Sequence, residues 1–522
     1  DDEFPQLARI FHLHRQYRNM LVNAKVLSTG QYGPHALSRG DENTRLLSLR
    51  NLTWFPKTQT ITLDTSIGLA PTQRIVHVKL YHPTERVIGT YAYGENVRIT
   101  VQPFRASLIK VSTQPADEVV VVGCDYRVVN NHQNDTLHLE LLGMPGTSKT
   151  IHLAGATEGY TAAKIDEQIQ PKLLLGDRIN LTFSGTPLQH PFHRKLATLT
   201  ACAIPEDAHA LYEATQFAAD NNALEVRSLQ RSSPTSIPAV AASRRTFFEQ
   251  DQFVQRGPWD RYLFDGNLHT SFDVSTRWEA FDPLRTALRI DMGTQQTVDS
   301  IIIHVADDFA LQPYKRLEGE YLTVSANLKD WESVLFITDT SMVIRLTDQP
   351  AFRYLRFPYS MLRIQEVVAY RDGQILNQSA WRASNLQRPY VQWHWDSTQL
   401  YSARRAWSTE IELNELAANS YLCIAINGRH GVEGAVAAVK VGDRYLGCPD
   451  RSPSYRSNTW EYRVTKSDAN YTYYFPLTAE LVEQPLEVFV LGFDEDQQPL
   501  RPEVWITAYP VPYRKHQLVL HK

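Results

Sequence analysis

Short runs rich in β-branched and aromatic residues recur along most of this chain. Each is cut off by Gly, Pro or Asn before it is long enough for a helix. Arg45–Leu52, Thr60–Leu63, Ile75–Leu80, Val97–Val101 and Ala106–Val111 come first, and Tyr93-Gly-Glu-Asn96 among them reads as a hairpin turn. Glu118–Val122, Leu137–Leu142 and Ile179–Phe183 continue the pattern. Glu410–Leu413, Tyr421–Asn427, Ala435–Val441 and Leu486–Leu491 close it. The expected fold is mainly β, with several antiparallel β-sandwich domains and a few helices. A length of 522 residues exceeds what one hydrophobic core supports, so about three or four domains are expected.

Two stretches break the strand rhythm. In Pro5–Val22, the residues Leu7, Ile10, Phe11, His14, Tyr17 and Leu21 recur at helical spacing, behind the acidic run Asp1-Asp-Glu3. An amphipathic helix of this kind needs a surface to cover its apolar stripe. We expect that surface in a domain upstream of Asp1. Pro205–Asp220 is the second helical stretch, started by Pro205 and ended by Asn221-Asn222. A Ser- and Pro-rich segment over 228–238 then marks a boundary.

Net charge is −4 with both signs interspersed, which argues against nucleic acid or an anionic membrane as partner. No apolar run approaches the roughly 20 residues that span a bilayer. Cys124, Cys202, Cys423 and Cys448 show no CxxC spacing, so a zinc site is not expected. Cys423 and Cys448 share one strand-rich segment and are candidates to pair.

The densest motif is Tyr262-Leu-Phe-Asp-Gly-Asn-Leu-His-Thr-Ser-Phe272, an Asp-Gly-Asn turn with a Thr three residues on. Gly266 permits the positive φ of such a turn. Leu288-Arg-Ile-Asp-Met-Gly293, Leu322-Thr-Val-Ser-Ala-Asn-Leu-Lys-Asp-Trp331, Arg353-Tyr-Leu-Arg-Phe357 and Ile364-Gln-Glu-Val-Val-Ala-Tyr370 follow in order. Together they resemble the signatures of a discoidin-like (factor V/VIII type C) domain, a jelly-roll β-sandwich that binds glycans or other surface ligands. The resemblance implies a structural Ca2+ held by Asp265, Asn267, Thr270 and Glu366, oxygen donors of the kind a hard cation takes. Asn267 stands where many relatives carry Asp. The same residues also make an ordinary Asx turn that needs no ion.

Family ligands sit at loops on one end of the sandwich. By chemistry the ligand-binding candidates are Trp259, Arg261, His269, Trp278 and Tyr314. Aromatic rings stack on a pyranose face, and Arg and His donate to hydroxyls. Each also has an ordinary role in packing or in a surface ion pair. Further on, the loops 428–434 and 447–462 carry Arg, His, Asp and aromatic residues between strands, with Trp393, Trp395 and Trp407 close in sequence. They mark either a second glycan-binding module or long structural connections.

A second resemblance rests on Leu7-Ala-Arg-Ile-Phe-His-Leu-His-Arg-Gln-Tyr17, Leu47-Ser-Leu-Arg-Asn51, Tyr91-Ala-Tyr-Gly94 and Pro103-Phe104. This order is similar to the end of (β/α)8-barrel glycoside hydrolases, where the last barrel helix leads into a β-sandwich. It covers about the first 110 residues. It implies a catalytic barrel, with its acid and base, upstream of Asp1.

Other motifs lead nowhere. Gly143-Met-Pro-Gly-Thr-Ser-Lys-Thr150 falls one residue short of a phosphate-binding loop and precedes a strand rather than a helix, so it reads as a β-hairpin turn. HExxH and GxSxG are absent. His12/His14 and His190/His193 have no third ligand beside them. The Asn-x-Ser/Thr sequons at Asn51, Asn134, Asn180, Asn377 and Asn470 match chance for a Thr-rich chain.

The resulting expectation has five parts. Residues 1–43 are the terminal helix and loop of a barrel-like domain, and 44–115 a post-barrel β-sandwich. Residues 116–235 form an intermediate α+β segment, 236–378 a discoidin-like carbohydrate-binding module, and 388–522 a final β-sandwich. The chain would be a non-catalytic accessory region of a bacterial glycoside hydrolase, placed outside the cell as a secreted, periplasmic or cell-surface protein. Its partners would be a glycan and the upstream catalytic domain. The competing expectation is an adhesion or scaffolding region that recruits an extracellular protein.

Overall fold

The computed structural model describes residues 3–33, 35–130, 136–216, 260–270, 288–305, 321–335, 341–357, 364–384, 403–428, 435–446, 450–453, 471–492, 499–508 and 510–522. As expected, the fold is mainly β, with antiparallel sheets and few helices. Among the described residues no helix is long and apolar enough to cross a membrane. The chain divides into two compact units, residues 1–190 with 511–522 and residues 191–510.

The first unit opens with the helix Glu3–Tyr17. Leu13 and Tyr17 on one face pack against Leu46 and Tyr81, while Leu7, Ile10 and Phe11 on another are 42–59% exposed. Behind it lies a six-stranded sheet in the order Ala24–Val26, Leu37–Gly40, Thr44–Arg50, Ala106–Ser112, Val76–His82, Arg86–Tyr91. A two-stranded ribbon, Lys57–Thr62 with Asn96–Val101, shares its apolar core. The pairing crosses the expected boundary at residue 43, because Leu37–Gly40 is paired directly with Thr44–Arg50.

A second sandwich follows in the same unit. One sheet runs Asp125–Asn130, Thr136–Gly143, Arg514–His521, Ala162–Ile165, Gln168–Ile169, and the other Ile179–Thr182, Ser148–Gly155, Val119–Val122. Two expected hairpins are corrected here. The turn after Tyr93 carries the chain from the six-stranded sheet to the ribbon, and the turn at Met144–Thr147 carries it from one sheet to the other. Local turn chemistry sets the reversal of the chain but not which sheet receives the next strand.

The second unit holds two sandwiches. In the first, strands Glu332–Leu335, Tyr321–Ser325, Phe352–Arg356, Arg289–Gln296 and Arg382–Ser384 form one sheet, and Ser341–Arg345, Ser300–Val305, Ile364–Arg371 and Gln374–Ile375 the other. Their inner faces enclose one core that includes Ile290, Ile301, Leu355 and Phe357. In the second, the sheet Arg194–Thr198, Arg501–Ala508, Ser420–Asn427, Tyr471–Pro476, Asp450–Pro453 faces the sheet Thr200–Cys202, Arg405–Glu412, Pro485–Gly492, Ala435–Val441, Arg444–Tyr445. Strands around residues 194–202 thus belong with the final sandwich rather than with an intermediate segment. Helix Ala208–Gln216 buries Leu211 against this core. The sandwiches of this unit are joined by Leu328, fully buried in the final sandwich's core, and by Arg356, 3.0 Å from Glu213 and stacked on Trp331.

Cys423 carries a free, buried thiol, and its expected partner Cys448 lies outside the described residues. Asn51 is 1% exposed, its side-chain nitrogen donating to the carbonyls of Phe55 and Val101. That burial explains the sequon's presence as a structural asparagine.

Candidate functional site

A one-turn 3-10 helix, Asp260–Leu263, drops Tyr262 and Leu263 into the core. Phe264 then lies edge-on to Trp381 with ring centroids 5.7 Å apart. Anchored so, residues 265–269 stand exposed and Thr270 returns to the interior. Gly266 adopts φ +72°, a left-handed conformation glycine takes without penalty.

The second half of the site comes from strand Ile364–Arg371. Opposite it His304 pairs with Glu366 and Val305 with Ile364, leaving Gln365 as the extra residue of a bulge. A bulge re-aims the side chains beside it. Ile364, Val367 and Ala369 enter the core, while the bulged Gln365 donates to the carbonyl of Leu268 at 2.7 Å. Glu366, 4% exposed, accepts the Gly266 amide at 3.1 Å.

Oxygen atoms crowd this corner. The Thr270 hydroxyl lies 3.0 and 2.9 Å from the two Asp265 carboxylate oxygens and 2.7 Å from the Asn267 carbonyl oxygen. One hydroxyl hydrogen cannot serve three acceptors. Burial, and then the adjacent Asp265 carboxylate, push the Glu366 carboxyl up to about 7, against the opposing pull of the Gly266 and Asn267 amides. Two carboxylates, a hydroxyl and a carbonyl that share a corner are oxygen donors of the type a hard cation takes. No trio of His, Cys, Asp or Glu side chains gathers among the described residues; the donors here are of mixed type.

Of the residues expected at the ion, Asp265, Thr270 and Glu366 are brought together. The Asn267 side-chain oxygen accepts the His269 amide at 3.0 Å in an Asx turn, and the Asn267 carbonyl faces Thr270. Of the expected sugar contacts, His269 is exposed on the loop. The Arg261 backbone lies in the 3-10 turn, and Trp259, Trp278 and Tyr314 fall outside the described residues. Gln365 was missed because its role depends on the bulge, which no local residue pattern announces.

A second charged cluster lies in the first unit. The Arg9 guanidinium contacts Glu85 at 2.7 Å and Glu118 at 2.6 Å, and the Lys79 ammonium contacts the same two carboxylates at 2.6 and 2.7 Å. The Tyr81 hydroxyl donates to Glu118 at 2.7 Å, and its ring lies 4.2 Å from Lys79. Burial works against the charged form of Glu118, but Lys79 and Arg9 outweigh it and hold the carboxyl at about 2. Two cations facing two carboxylates make a largely buried square, with Glu118 its half-buried corner, that fastens the helix to both sandwiches of its unit.

No family model matches this chain, and no curated protein does. Among solved structures, the arabinofuranosyltransferase AftD from Mycobacteria aligns at 10% identity and a TM-score of 0.16, over 94% of this chain and 35% of that one. The chain therefore spans about a third of that protein's length. An anti-sigma factor domain-containing protein aligns at 10% identity and 0.12, over 46% of this chain and 93% of its own. A structure solved with a xylogluco-oligosaccharide aligns at 8% identity and 0.11, over 92% and 97%. At such scores these likenesses assign neither fold nor function.

Proposed function

We propose that this chain is a non-catalytic, glycan-binding and structural accessory region of a secreted bacterial glycoside hydrolase. In this reading the sandwich of residues 260–384 is a discoidin-like carbohydrate-binding module. Asp265, Thr270, Glu366 and the carbonyl of Asn267 hold a structural Ca2+ that ties the loop to strand Ile364–Arg371. The observation that carries the reading is the convergence of these oxygens on a corner that raises Glu366 to about 7. The ion would supply positive charge to two facing carboxylates and fix the loop that presents His269. Extracellular Ca2+ modules work with Kd of about 10⁻⁴–10⁻³ M, in keeping with a secreted protein.

The exposed Leu7, Ile10 and Phe11 face of the first helix supports the other half of the proposal, a seat for the catalytic domain. Tethering a catalytic domain to its substrate raises local concentration, so even weak glycan binding is useful. The test is a glycan array probed with the whole chain in Ca2+ and again in chelator. Retention on a defined glycan class, lost with His269→Ala, is the expected outcome. Absence of retention on every glycan in Ca2+ would overturn the glycan reading.

A further inference from the structure

Strand Arg514–His521 is the middle strand of its sheet. It pairs along its full length with Thr136–Gly143 on one side, its second half, Leu518–His521, pairs with Ala162–Ile165 on the other, and Leu518 and Leu520 are fully buried. Yet about 330 residues separate it from Thr182, the end of the previous strand of that sandwich. Nearly all of them belong to the second unit. That unit has a core of its own, drawn from residues between Leu199 and Ile506. Its first and last long strands are neighbours: Arg194 pairs with Ile506 and Thr198 with Glu503. The Leu199 amide donates to the Pro502 carbonyl at 3.0 Å, and His193 Nδ1 lies 3.2 Å from the Thr507 hydroxyl.

We propose that residues 191–510 are an autonomous insertion whose paired end strands hold Arg514–His521 within reach of the sheet it completes. Folding of the second unit replaces a loop of about 330 residues by a path of roughly 20. Loop closure follows about the three-halves power of length, so the first unit gains on the order of 50-fold in its folding constant. Linkage makes the gain reciprocal: a folded first unit raises the second unit's folding constant by the same factor. The coupling runs through the covalent path and its paired ends.

The test uses the full-length chain and hydrogen exchange at increasing urea, reading amides of 136–143 for the first unit and 420–427 for the second. Ile424→Ala with Val488→Ala opens cavities in the second core and lowers its unfolding midpoint. At urea where 420–427 exchange freely, protection of 136–143 should fall on the order of 50-fold relative to the parent. A change of less than about threefold would overturn the proposal. A flexible linker of about 40 Gly and Ser residues between His190 and Pro191 should weaken the coupling roughly fivefold while leaving both cores intact. Coupling that ignores the linker would overturn it as well, because it would then be carried by something other than the loop.

Discussion

Two charged clusters of this protein are built on opposite rules. Around Glu85 and Glu118, two carboxylates face two cations, and Lys79 and Arg9 hold the Glu118 carboxyl at about 2. Around Glu366, carboxylate faces carboxylate, and the carboxyl rises to about 7. The first is electrically complete and serves as a joint. The second is oxygen-rich and would gain from an added cation.

The largest effect should come from breaking the complete cluster. Lys79→Met leaves the buried Glu85 and the half-buried Glu118 to a single guanidinium, and should cost the first unit about 3 kcal/mol in urea unfolding. A loss below about 1 kcal/mol would show that the square is dispensable. Next comes Ca2+. At about 100 times its Kd it should stabilise the sandwich of residues 260–384 by about 2.7 kcal/mol, an effect removed by Glu366→Gln. An equal response in that variant would place the ion elsewhere.

The pH response should then run in opposite directions. Glu366 is raised, so in chelator its contribution is fully present below about 4.5 and lost as pH rises through about 7, roughly 3 kcal/mol. Glu118 is lowered, so its contribution is present above about 4.5 and lost as pH falls towards about 2. Hydrogen exchange resolved by unit checks both slopes, and parallel slopes would refute the contrast. The smallest effect belongs to Arg356, a single part-exposed pair with Glu213 stacked on Trp331. Arg356→Lys should cost about 1 kcal/mol in thermal unfolding, mostly through the lost stacking.

Much of the fold was legible because strand period and turn residues are local properties. The runs at Val97–Val101 and Ala106–Val111 reappear as strands Asn96–Val101 and Ala106–Ser112. The Asp265–Thr270 loop was legible for the same reason, its Gly and Asx chemistry lying within six residues. Partnership was not legible. Lys79 and Glu118 are ordinary charged residues in sequence, and only the meeting of the helix with two sandwiches makes them part of a largely buried square. Leu328, at φ +63° and fully buried, likewise shows its purpose only where the two sandwiches of the second unit meet.

By itself, then, the sequence determined strand content, the reversals between strands and the residue types of the Asp265 loop, since each depends on neighbours a few positions away. Tertiary structure alone decided which sheet each strand enters. Leu518 and Leu520 mark Arg514–His521 as a strand with one buried face, but alternation names a face and not a partner. That the partner is Thr136–Gly143, across the whole second unit, is decided by the core those two leucines share with Leu137, Leu139 and Leu141.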